Sequence, residues 1–236
     1  MRFDGQLAIV TGGSRGIGLA TATMLARGAA RVVLVARGAD ALTAAAQSLG
    51  PHVSGVPCDI GDRNAVETAI ETIRSTHGTP HILVNNAGVF RLATVEQTAP
   101  DDFATALQVN LFAPFLFVRA FLAAMKQDRA GHIVTIGSIA DRSTFPENAA
   151  YAASKFGARA MHEVLRAELK GSGVRASLVS PGPVDTRLWD ELNPDTRAGF
   201  TPRREMLSPN AVAEAVEFAL SRPAEVNIDE LRLSRS

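Results

Sequence analysis

"LAIVTGGSRGIG", residues 7–18, is the stretch on which the fold turns. LAIVT is an apolar run of strand length, and Gly12, Gly16 and Gly18 follow it before a segment of helical period begins. Glycine lets the backbone turn tightly and come close to a ligand, because it carries no Cβ. A helix that opens out of such a turn aims its unpaired N–H groups and the positive end of its dipole at whatever sits over it. With Ser14, Arg15 and Ile17 among its glycines, the turn reads as a cradle for the pyrophosphate of a nucleotide. Its spacing is G-x-x-x-G-x-G rather than G-x-G-x-x-G.

The same alternation continues down the chain. Strands are expected at 7–11, 31–36, 53–57, 81–85, 132–137, 175–180 and 230–234. Helices are expected at 17–28, 39–49, 62–76, 101–126, 147–170 and 209–221. Most of the strand segments are continuously apolar, as strands are when helices cover both faces of their sheet. Asp62, Asp101 and Ser208 sit where N-caps belong, and Pro209 fits the first helical position. The pattern predicts a single α/β domain over 1–236, a doubly wound parallel sheet of about seven strands with helices on both faces, the Rossmann fold. Residues 186–207, TRLWDELNPDTRAGFTPRREML, are long for a connection and read as a lid beyond the carboxyl ends of the strands.

Composition closes off several function classes. Its 24 basic residues balance 24 acidic ones, so nothing marks a nucleic-acid or anionic-membrane partner. One cysteine, Cys58, excludes an internal disulfide and suits a reducing compartment. MRFDGQLAIV (1–10) enters an apolar strand without the pattern of a secretory leader, and no apolar stretch reaches the roughly 18 residues of a membrane span. A soluble, cytoplasmic protein is expected. His77 and His81 have a zinc-like spacing, but Gly78 and Pro80 break the helix such a pair would need, so no metal is expected.

The second strand ends at Ala36, and Arg37 follows it at once. In dinucleotide folds a carboxylate near this place holds a ribose 2′-hydroxyl, whereas an arginine accommodates a 2′-phosphate. Arg15, inside the glycine turn, can reach the same place. Two guanidiniums suit a phosphate, and the expectation is NADP(H) rather than NAD(H). Further on, YAASK (151–155) places Tyr151 and Lys155 four positions apart, on one face of a helix. An ammonium beside a phenol favours the phenolate, so Lys155 is expected to lower the pKa of Tyr151 toward neutrality.

TGGSRGIG, NNAG (85–88), Asn110, Ser138, the Tyr151–Lys155 pair and SPGPVDT (180–186), in that order, resemble the short-chain dehydrogenase/reductase family over nearly the whole chain. The resemblance implies interconversion of a ketone and a secondary alcohol. It makes Tyr151 the general acid in reduction and the base in oxidation, with Lys155 lowering its pKa and binding the nicotinamide ribose. Ser138 would hold the substrate oxygen, and Asn110 a water linking Lys155 to solvent. Asp59 matches the position that contacts the adenine amino group, and Asn86, Ala87 and Gly88 the segment lining the adenine ribose. Pro181 and Gly182 match the turn beside the nicotinamide, whose carboxamide Val184 and Thr186 would bond. The dimer contact implied uses helices 101–126 and 147–170, giving a homodimer, with a homotetramer as the alternative. Asp141 departs from the family pattern, which often has glycine there.

For substrate, a small or medium ketone or a 3-oxo acid is expected, with Arg187, Arg203 and Arg204 of the lid available to a carboxylate. Two other readings stand beside this one. A 3-oxoacyl-thioester reductase would use Arg91, Arg142 and the lid arginines to dock an acyl carrier. A catalytically silent NADP(H) sensor would act through a partner, although it would not need the tyrosine and lysine retained here.

Overall fold

In the computed structural model, which describes residues 2–236, seven strands form one parallel sheet. They are β1 (Leu7–Thr11), β2 (Arg31–Ala36), β3 (Val53–Pro57), β4 (Ile82–Asn85), β5 (Gly131–Ile136), β6 (Val174–Pro181) and β7 (Glu230–Leu233). Their order is β3-β2-β1-β4-β5-β6-β7, and every pairing is parallel. Seven helices connect them: α1 (Gly16–Arg27), α2 (Ala39–Leu49), α3 (Arg63–His77), α4 (Pro100–Leu107), α5 (Ala113–Asp128), α6 (Ala149–Glu168) and α7 (Pro209–Leu220). This is the expected doubly wound fold.

The central strands are largely apolar because successive side chains serve different cores. Leu7, Ile9, Val33, Val35, Leu83 and Ile133 pack in one layer with Ile70 and Ile73 of α3 and Phe117, Phe121 and Met125 of α5. Ala8, Val10, Val32, Leu34, Val84 and Val134 pack in the other, with Leu25 of α1, Leu42 of α2 and Val212 and Val216 of α7. A polar residue at any of these positions would break one core or the other.

Caps set several helix starts. Asp62 accepts hydrogen bonds from the N–H groups of Asn64 (2.8 Å) and Ala65 (3.4 Å), and Ser208 Oγ accepts one from Ala211 N at 3.2 Å. Asp101, expected to cap, does not. Pro100 takes the first helical position, where its fixed φ fits and its missing N–H costs nothing, so the cap moves back to Ala99. Asp101 lies instead in the first turn, beside the positive end of the dipole.

The helix expected at 101–126 is also not continuous. A π-helical turn, Gln108–Phe112, separates α4 from α5 and contains Asn110. The helical run Pro100–Asp128 as a whole has the length and mean hydropathy of a membrane span, a feature missed in the sequence, but half of its most apolar window is buried in the fold.

Order reverses between β1 and β4, and a crevice opens at the carboxyl ends of the strands there. Gly12, Arg37, Asn86, Ser138 and Gly182 each lie within two residues of a strand's carboxyl end, at this same edge of the sheet. Residues 186–207 cross the same edge. Their base is stitched by Leu207 N donating to Pro183 O and Asp185 N donating to Leu207 O, both at 2.9 Å.

Candidate active site

One cleft of about 1780 Å³ runs along that edge, larger than the roughly 300–1,000 Å³ typical of a single small ligand. Every residue given a catalytic or cofactor-binding role from the sequence lines it except Gly18 and Asn110. At one end stands the glycine turn. Gly12 has φ +66°, and a Cβ on Gly18 would lie 2.2 Å from the Gly12 carbonyl oxygen, so both positions exclude a side chain. Asn86 clamps the turn by donating from Nδ2 to Thr11 O at 2.8 Å. Thr11 Oγ1 in turn accepts from the N–H groups of Asn86 (2.9 Å) and Ala87 (3.1 Å).

No side chain caps α1, whose N-cap residue is Arg15. Its first amides therefore remain for an anion, as a pyrophosphate site requires. Arg15 and Arg37 are exposed at this end of the cleft. Asp59 folds a local turn by accepting from Gly61 N at 2.9 Å, and leaves the capping of α3 to Asp62.

At the other end Tyr151 and Ser138 line the cleft together, Ser138 Oγ accepting from Ala140 N at 3.1 Å, and Phe90 packs edge-on to the Tyr151 ring at 4.7 Å. Lys155, one turn along α6, donates from Nζ to Ile136 O at 2.9 Å and lies 5.7 Å from the Tyr151 ring centroid. Burial pushes the phenol up to about 12; the nearby Ser138 hydroxyl works against that rise and the Asp141 carboxylate adds to it. Burial likewise drives Lys155 down to about 8, with Asp141 opposing. Removal from water is thus the largest influence on Tyr151 in this structure. The neutral phenol is the stable form at pH 7.

Asn110 stands behind the cleft wall. It donates to Val89 O (3.0 Å) and Ser154 Oγ (2.9 Å), accepts from Val89 N (2.9 Å), and has no direct contact with Lys155. Ser154 Oγ donates to Tyr151 O at 2.7 Å, so the π turn is tied to the start of α6 through a residue the sequence reading passed over. Val184 O accepts from Trp189 Nε1 at 3.0 Å, and Thr186 Oγ1 accepts from Leu188 N at 3.4 Å.

The lid arginines differ from expectation. Arg203 donates to Asp185 (2.8 Å), Asp190 (2.7 Å) and Thr186 O (3.1 Å), which makes it a staple of the lid rather than a free cation. Arg204 pairs with Glu205 at 3.1 Å. Only Arg187 of the three is without an ion pair among the described residues, and it lines the cleft. Trp189 both anchors and lines: it packs edge-on against Phe90 at 5.2 Å and Phe200 at 6.3 Å.

A short chain dehydrogenase family model matches residues 6–197. The chain belongs to this family. It is 37% identical over 231 residues to a D-threitol dehydrogenase of Mycolicibacterium smegmatis, covering 94% of this chain and 88% of the relative. It is 33% identical over 227 residues to the 3-oxoacyl-[acyl-carrier-protein] reductase of Escherichia coli, covering 95% and 93%. Among solved structures, a metagenomic short-chain oxidoreductase in complex with NADP superposes with a TM-score of 0.86 at 31% identity, over 100% of this chain and 99% of that one.

In this short-chain dehydrogenase the buried lysine works against the fold. With a folded pKa near 8 against 10.5 when exposed, the folded state binds fewer protons between those values. Stability therefore rises with pH across that window, and at pH 7 the charged lysine costs roughly 3 kcal/mol. Lys155→Met is expected to abolish turnover yet raise stability at pH 7 by about 1–3 kcal/mol, or several degrees in Tm. Urea unfolding at pH 7 and pH 10 checks this: the stabilisation should shrink at the higher pH, and a variant less stable at pH 7 would refute it.

Proposed function

We propose that this enzyme reduces a ketone to a secondary alcohol, and runs the reverse reaction, with NADP(H). The observation that carries the reading is the convergence of Ser138, Tyr151 and Lys155 on one cleft, with Lys155 Nζ 5.7 Å from the Tyr151 ring centroid. When bound, the nicotinamide cofactor supplies or accepts the hydride. The amides at the start of α1 hold its pyrophosphate, Arg15 and Arg37 its 2′-phosphate, and Asp59 and the Asn86–Gly88 segment its adenosine. Pro181, Gly182, Val184 and Thr186 hold the nicotinamide end.

Negative charge develops on the carbonyl oxygen as the carbon is reduced. Ser138 and Tyr151 donate to that oxygen, where pre-placed donors are worth most. Tyr151 gives up its proton there. Its neutral form predominates at pH 7, so it is ready as an acid.

The substrate end is apolar. Phe90, Trp189 and Phe200 form a continuous aromatic wall on one side. Ile139 and Phe145 line the cleft and stay exposed. This favours a ketone with an apolar substituent, and Arg187 is the one lid cation left to meet an acid group. The thioester-reductase reading is less favoured, because Arg91, Arg142, Arg203 and Arg204 each hold a carboxylate of this chain.

NADPH oxidation over a panel of ketones, diketones, 3-oxo acids and acyl thioesters, with NADH in parallel, tests the proposal. Arg15→Ala and Arg37→Ala should each raise KM for NADPH by about tenfold and leave KM for NADH unchanged. Equal loss with both cofactors would remove the 2′-phosphate assignment. Binding of NADPH without turnover on any compound would favour the sensor.

A further inference from the structure

Asp141 ends the short 3₁₀ turn Ile139–Asp141 that leads away from Ser138, and it is fully buried. Every contact of its carboxylate is built. Oδ2 accepts from Ser180 Oγ of β6 and from Ser138 N at 3.3 Å, and Oδ1 accepts from Arg142 Nε at 2.8 Å. Arg142 pairs in turn with Glu230 of β7 at 2.6 Å. Gly137 makes room for the acid: a Cβ there would lie 2.5 Å from both Asp141 Oδ2 and Ser180 Oγ. Its neighbour Ile136 offers the carbonyl that holds Lys155 Nζ. Two consecutive residues at the end of β5 thus touch the buried ammonium and the buried carboxylate.

We propose that Asp141 is a positioning residue of the active site, its locked carboxylate holding Lys155 as the ammonium and Tyr151 as the neutral phenol and so setting the pH range over which the pair works in either direction. The physical reason is sign. A fixed negative charge stabilises a nearby ammonium and opposes a nearby phenolate. In a site shielded from water this acts at longer range than it would at a surface. The charges that bear on the pair are Asp141 and Arg142 on the turn and Glu230 on β7, with Ser138 and Ser180 neutral beside them. Arg142 offsets part of Asp141, and Glu230 offsets part of Arg142, so the cluster remains net negative. Asp141 thus places a fixed negative charge in this chain's active site, where the family pattern often has a glycine.

The part of the proposal that concerns the pH range of turnover rests on Tyr151 being the proton donor; the part that concerns Lys155 is tested without turnover. The chain has three lysines, Lys126, Lys155 and Lys170, of which only Lys155 is buried. With ¹³C at the lysine ε-carbon, NMR titration of the full-length protein follows each separately. Asp141→Asn keeps the shape and removes the charge, and should lower the Lys155 midpoint by on the order of one pH unit. Arg142→Met leaves the carboxylate uncompensated and should raise it. Opposite shifts support the proposal. An unmoved midpoint, or shifts in the same direction, overturns it, and Arg142→Met decides alone if Asp141→Asn does not fold. PH profiles of reduction and oxidation on the same proteins read the consequence: both alkaline limbs should move to lower pH in Asp141→Asn. Absence of turnover in the wild type would count against the proposed function and leave the lysine result standing.

Discussion

Tyr151→Phe is expected to lower kcat for carbonyl reduction by about a thousandfold while leaving NADPH affinity within about threefold of wild type. The substitution removes one oxygen from the cleft and keeps the ring. Its edge-on contact with Phe90 at 4.7 Å survives, and so does the helix that carries it, because the Ser154 bond goes to the Tyr151 backbone. What disappears is the proton donor beside Ser138. A thousandfold corresponds to about 4 kcal/mol of barrier, within the range that one positioned acid supplies. Steady-state kinetics on the best ketone, with NADPH binding followed by fluorescence, measures both quantities. Residual activity above about a tenth of wild type would mean that another group delivers the proton.

Acid should unfold this protein early, and two histidines should account for most of the effect. His132 on β5 and His162 on α6 are buried, held by Ser177 Oγ at 2.8 Å and Thr135 Oγ1 at 3.1 Å. Each has a second ring nitrogen, His132 Nδ1 and His162 Nε2, without a hydrogen-bond partner. Burial, with Arg175 and His162 nearby, lowers His132 to about 3; burial, with Arg166 nearby, lowers His162 to about 4 against the pull of Glu163 and Asp229.

Both folded values lie below the ordinary 6.5, so the unfolded chain takes up more protons as pH falls. The stability they contribute is present above pH 6.5 and is lost progressively toward pH 3–4. Two such groups lose roughly 5 kcal/mol by pH 4.5, a large share of the about 5–15 kcal/mol that holds a domain together. Urea unfolding at pH 7, 5.5 and 4.5 reads the slope. His132→Gln and His162→Gln should each remove about half of it, even if either lowers stability at pH 7. An unchanged slope in both variants would place the acid sensitivity elsewhere.

How far the sequence reached depended on whether a residue's job is local. β1, β2 and β4 were legible because two-sided burial leaves each an unbroken apolar run, and Asp62 and Ser208 because a cap bonds to amides two or three residues on. Asp101 does not cap for an equally local reason: the proline beside it takes the first helical position. Arg203 could not be read as a staple, since Asp185 and Asp190 reach it only once the lid has folded back on its own base. Nor could the pairing of His132 with Ser177, 45 positions apart.

The sequence by itself determined the doubly wound sheet, the glycine cradle and the set of side chains, Ser138, Tyr151 and Lys155, that meet at the end of β5. The sheet follows from apolar period, the cradle from glycine's freedom, the Tyr151–Lys155 pair from spacing along a helix, and Ser138 from the family resemblance. Only the tertiary structure decided their protonation: Tyr151 pushed up to about 12, Lys155 drawn down to about 8, and Asp141 sealed between β5, β6 and β7. The reason is physical. A pKa responds to the depth of water over a group and to charges brought near it from distant parts of the chain, and neither exists until the fold does.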